Sequence, residues 1–201
     1  MFSTLSVDAV LSGLTGGVLA SMITVLYSHH VEKKKESQAL TANSLSLISA
    51  LEAYTISCAE YIEAADDETE NFFRTNDSSG LSKLTSPTFT VPPNVDFRHI
   101  DAKIASQALV LPFLVKRSSA IAYAAFYYGS MLESIEESIK QCGIRGLAAW
   151  ELASSLSLTA GLPAPEFDDD WAFLEDLQKA AAPTPIKSAP LPPPAAVIST
   201  P

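Results

Sequence analysis

The chain has 201 residues, 47% of them hydrophobic, a formal net charge of −10 and two cysteines. This length suits one domain with an appendage, and the acidity excludes a nucleic-acid partner, because phosphate binding needs clustered Lys and Arg. Two cysteines without a CxxC or a Cys/His cluster exclude a disulfide framework and a zinc site. The acidic runs ADDETE (65–70) and FDDDW (167–171) read as solvated helix ends. DDETE also lacks the glycine turn and the closing Glu of a calcium loop.

Residues 9–27, AVLSGLTGGVLASMITVLY, are nineteen residues without a formal charge. As a helix they cover about 28 Å, close to the hydrocarbon thickness of a bilayer. That length predicts a transmembrane anchor over 9–30, preceded by a short tail, 1–8. The opening MFSTLSVD has no Lys or Arg, carries Asp8, and leads to no A-x-A site, which weighs against a cleavable signal peptide. Lys33, Lys34 and Lys35 follow the span. By the positive-inside tendency they stay in the cytoplasm and the N-terminus lies outside. The expectation is a single-pass protein of the inner (plasma) membrane with its bulk cytoplasmic and both cysteines reduced. Within the span, Ala9, Gly13, Gly17 and Ser21 recur every four residues, a small-residue face that lets two membrane helices approach closely.

From Glu32 to Arg74 neither Pro nor Gly occurs, and apolar positions recur at Leu47, Leu51, Tyr54, Cys58, Tyr61 and Ala65. The steps of four and three predict a long amphipathic helix over 31–74, ended by the turn residues TNDSSG (75–80). Pro87, Pro92 and Pro93 predict an extended connector over 75–96. The remaining helices of a bundle are expected over 97–180. The first is short, 97–109. Pro112 suits the first turn of the next, 112–142, which Gly143 closes. Its periodic row is Leu114, Ser118, Ile121, Ala125, Tyr128, Leu132, Ile135, Ile139 and Cys142. The apolar window 104–132 holds Pro112, Lys116 and Arg117, so it reads as a buried core helix rather than a second span. A further helix, about 145–160, ends at Gly161 and Pro163. A last one starts in the DDD run and buries Trp171, Phe173, Leu174 and Leu177. Residues 181–201 hold seven prolines and read as a disordered Pro-rich tail. The fold class expected is all-α: one N-terminal transmembrane helix, then a small bundle with a long first helix. Antiparallel packing of 32–74 against 112–142 would form its core.

The chain has no GxGxxG, P-loop, HExxH or GxSxG. His29 and His30 point about 100° apart on a helix and do not converge on a metal, and His99, two residues before Asp101 and facing apart from it on a helix, suits a surface or capping role. No catalytic residue, metal ligand or cofactor is expected. Cys58 and Cys142 fall on the apolar rows of two long helices, as small core residues or as a redox pair bridging them. In the tail, Pro190 and Pro193 of PLPPP have the spacing that a polyproline-II groove reads.

SPTFTVPPNVDFRHID (86–101), LVLPFLV (109–115) and AAFYYGSMLESI (124–135) resemble, in order and layout, a loose group of uncharacterised bacterial membrane proteins. In that group one N-terminal span leads into a long helix, a Pro-containing connector and a helix with an aromatic FY. The resemblance covers residues 5–163 and implies no activity and no site residues. The expected function is a membrane-anchored helical protein acting through protein–protein contacts, as an accessory, scaffold or assembly subunit. The alternative is a membrane-tethered protein that senses redox state or a ligand. Expected partners are the lipid bilayer and a second copy or another membrane protein.

Overall fold

A 69-residue helix, α1 (Val7–Thr75), forms the spine of the protein. The structure is a computed structural model and describes residues 7–163 and 172–182. Among these residues three further helices follow, α2 (Ala102–Tyr128), α3 (Met131–Ala160) and α4 (Phe173–Ala181), with single 3₁₀ turns at Leu81–Lys83 and Phe97–His99. No strand occurs among the described residues. The protein is all-helical, as its sequence pattern requires. Trp171 and the Pro-rich tail with Pro190 and Pro193 lie outside the described residues, as do the side chains of Ala9, Gly13, Gly17 and Ser21.

The sequence divides 9–30 from 31–74, but the backbone does not: α1 runs without a break through both. With no Pro or Gly after Gly17 nothing interrupts its hydrogen-bond ladder. Leu47, Leu51, Tyr54, Cys58, Tyr61 and Ala65 are all buried, on the face their spacing specifies. The helix ends where Asn76 adopts φ 58° and its N–H reaches Phe72 O at 2.8 Å. Asparagine tolerates this left-handed cap better than most side chains.

The connector then retraces α1. Asn43 Oδ1 accepts from Asp96 N at 3.2 Å, and Asn43 Nδ2 donates to Asp96 O at 3.3 Å. From Thr75 back to Asn43 α1 covers about 48 Å. Twenty residues bridge that distance only when largely extended, and the three prolines hold them so. Leu81, Phe89 and Ile100 are buried along the way, and the Phe89 ring meets Tyr54 with centroids 5.5 Å apart.

Between residues 97 and 160 the helix boundaries differ from those expected. Residues 97–101 form a 3₁₀ turn and a cap rather than a helix; the Asp101 carboxylate accepts from Lys103 N and Ile104 N to start α2. Pro112 lies inside α2 instead of opening a helix. The same inner face packs before and after it, through Ala108 and Leu111 and then Val115 and Ser118, which offsets the lost backbone bond. The expected 112–142 helix is broken at Gly129–Ser130. Ser130 caps α3 by accepting from Glu133 N at 3.2 Å. The row drawn through both helices therefore splits: Ser118, Ile135 and Cys142 are buried, whereas Ile121 and Tyr128 are exposed.

Gly143 is no terminator; it sits inside α3. A Cβ there would stand 2.6 Å from Ala181 N and 2.7 Å from Leu177 O, so the missing side chain is what lets the α4 backbone dock. The true stop is Gly161 at φ 67°, with Leu162 N bonded to Ser157 O at 2.9 Å, a left-handed cap that glycine adopts freely. Of the last helix, Phe173 and Leu177 are buried and Leu174 is half-buried.

The centre of the bundle is α3, which packs on α1, α2 and α4. Thr55 Oγ1 lies 3.3 Å from Gly146 O, and Tyr61 neighbours Ser138, so α3 descends as α1 ascends. Ser118 bonds Gln141, and Ser134 bonds Ala122 O, so α2 is antiparallel to α3 as well. It follows that α1 and α2 run in the same direction.

Candidate interaction surface

The inner face of α2 is set by Ile104, Ala108, Leu111, Val115, Ser118 and Ala122, all buried. These positions rise in steps of four and three, the spacing of a helix seated in a groove. A polar seam crosses this interface. Ser118 Oγ donates to Gln141 Oε1 at 2.6 Å and accepts from Arg145 Nε at 3.0 Å, while Gln141 Nε2 donates to Glu137 Oε1 at 2.8 Å. Beside it, Tyr54, Ser86, Ser138 and Arg145 border a cavity of about 20 Å³, room for one water molecule.

The outer face is a different surface. Only 22% of the apolar stretch of α2 is buried, so α2 is not the buried core helix that its composition suggests. Leu109, Val110, Phe113, Tyr123, Phe126, Tyr127 and Tyr128 are exposed, Phe113 to 73% and Tyr127 to 70%. By length and composition alone α2 is able to cross a membrane, yet its inner face is spent on α3, and Lys116 and Arg117 stand at its middle. At its N-terminal end a groove of about 390 Å³ opens between α2 and α3, lined by Lys103, Gln107, Val110, Glu151 and Leu152 among others. Sequence reasoning misses this outer face, because an apolar row looks the same whichever side of the helix is covered.

Cys58 and Cys142 do meet, from α1 and α3, and both are free thiols, exposed to 0% and 6%. A hydrogen bond to Cys58 and then burial push the Cys142 thiol far above its ordinary range. Burial likewise raises the Tyr54 hydroxyl beside them. A neutral, enclosed pair is a poor nucleophile, since the thiolate is the reactive form.

The histidines do not build a centre. His29 and His30 are exposed, and His99 Nε2 lies 4.0 Å from Asp96 Oδ2 rather than against Asp101. Asp96 is held down to about 2, first by the side chain and backbone N–H of Arg98, so this cluster fixes the connector. No group of three His, Cys, Asp or Glu that could hold a metal ion occurs among the described residues. Comparison of the chain with protein families, curated proteins and solved structures returns no match.

Proposed function

We propose that this is a membrane-anchored helical protein that works through protein–protein contacts, as an accessory, scaffold or assembly subunit. The observation that carries the reading is the exposed apolar face of α2, with Phe113 and Tyr127 more than two-thirds open to solvent. Contiguous apolar surface rimmed by polar groups marks a place where something else docks. The anchor is proposed from the uncharged stretch 9–27 and from Lys33, Lys34 and Lys35, which are exposed just beyond it and favour an N-out, C-in orientation in a plasma membrane. Self-association through Ala9, Gly13, Gly17 and Ser21 belongs to the same proposal, as does the resemblance in layout to bacterial single-span proteins.

A sensing role through Cys58 and Cys142 has weaker support. The two thiols are adjacent, but their enclosure opposes the attack on an oxidant that sensing requires.

The anchor has a direct test. Membranes washed with alkaline carbonate should retain the chain. Protease should spare residues 31–182 in spheroplasts and digest them in inverted vesicles. Release by carbonate, or digestion of the bundle from outside, would refute the proposed topology.

A further inference from the structure

We infer that the outer face of α2 is a helix-docking seam whose partner is an amphipathic helix of another protein, bearing a carboxylate opposite Lys116. The inference rests on the contact-based reading above and adds a register and a charge to it. Two rows of side chains run along α2. The inner row is occupied by α3. The outer row is Leu109, Phe113, Lys116, Ala120, Tyr123 and Tyr127, again in steps of four, three, four, three and four, and every member is exposed. A row with this spacing is the surface on which a second helix seats its own side chains. It extends about 27 Å, long enough for five turns of a partner.

Charge narrows the occupant. In a chain of net charge −10, α2 contains Lys103, Lys116 and Arg117 and no Asp or Glu. Lys116 and Arg117 have no carboxylate within ion-pair distance among the described residues. A cation in the middle of an apolar seam is satisfied by an acid supplied from the facing helix.

Other occupants fit less well. Two copies anchored in one membrane would align their α2 helices in parallel, because α1 and α2 share a direction, and Lys116 would then face Lys116. The chain's own exposed acidic positions, Glu60, Glu63, Asp67 and Glu70 on α1, supply charge without an apolar row. The segment 183–201 carries Lys187 and no acid. A bilayer is disfavoured by position: α2 runs alongside α1 and starts level with Asn43, about 24 Å beyond Tyr27.

The test uses the full chain in its native membranes, with a benzophenone amino acid replacing Phe113. The seam is expected to crosslink to a helical segment of a different protein that has apolar residues in 4-3 spacing and an Asp or Glu. The double variant Lys116→Glu, Arg117→Glu should then lose about tenfold in yield. Replacing the partner's acid by Lys should restore it. Both substituted positions are exposed, so the melting transition serves as the control for folding. A yield indifferent to the charge reversal, a crosslink to lipid, or a crosslink to the chain itself would each overturn the seam. A second probe at Glu63 on α1 separates the two proposals. Protein crosslinks from Glu63 but none from Phe113 would reject the seam and keep the contact role; none from either would reject both.

Discussion

Replacing Phe89 by alanine is expected to cost about 3–5 kcal/mol of folding stability, the range for removing a buried aromatic ring. Phe89 is the buried aromatic side chain at the middle of an extended connector that is also held by Leu81 and Ile100. Its ring is 7% exposed and rests against Tyr54 on α1. Between the buried ends at Leu81 and Ile100, its neighbours Leu84, Val91 and Val95 are only partly buried against the core. The hydrogen bonds that tie the connector to α1 lie at its far end, at Asn43 and Asp96. Removing the ring opens a cavity beside Tyr54 and loosens Ser86 and Pro87, which border the small cavity against α2 and α3. Denaturant unfolding of the full chain in detergent should show the lower midpoint, and protease should cut the connector near Lys83. A loss below about 1 kcal/mol, typical of an exposed site, would mean that the connector does not depend on this ring.

The second large effect is expected at Gly143. Alanine there places a methyl group within 2.9 Å of three backbone atoms of α4. Backbone has no rotamer to yield, so either α4 shifts or α3 bends, at about 1–3 kcal/mol. Leucine leaves α4 no seat at all. Phe173 and Leu177 are then returned to water, each worth about 1.5–3 kcal/mol when buried. Trp150, whose ring meets Phe173 edge-on at 5.5 Å, would report the loss as a shift in its fluorescence. Gly143→Leu is thus expected to cost more than Gly143→Ala and to let trypsin cut at Lys179, which the docked helix α4 resists. Equal stability of all three proteins would show that α4 does not dock as described.

How much of this was legible in the amino-acid sequence differs from helix to helix. The buried face of α1 is legible because one row, Leu47 to Ala65, is apolar and its opposite face carries Glu60, Glu63 and Asp67. The fold class follows from such rows and from the absence of strand patterns. The break at Gly129–Ser130 is hidden because the 4-3 pattern runs straight through it, although SMLE (130–133) carries the spacing of a helix-starting cap. The reading of Gly143 as a stop fails for a different reason. Glycine ends a helix or admits a close neighbour, and only the position of α4 decides between them. Pro112 is misplaced because packing on α3 outweighs a local preference. The candidate surface is the least legible part. In α2 apolar residues occupy both faces, so no contrast across the helix tells which face the fold leaves open. The approach of Cys58 to Cys142 is readable as a pairing of rows, whereas the tight fit around Cys58 is not: a Cβ added at Gly146 would stand 3.1 Å from Cys58 Cβ and 2.7 Å from Leu177 Cδ2.

In the cell the outer face of α2 is expected to be covered by something the isolated chain lacks. Cysteine introduced at Phe113 or Tyr127 measures this directly, because the native thiols at 58 and 142 are enclosed and contribute no background. Slow reaction with a membrane-permeant maleimide is expected in intact cells, and fast reaction once the protein is purified in mild detergent. Reaction equally fast in both states would show that the outer face of α2 stays bare.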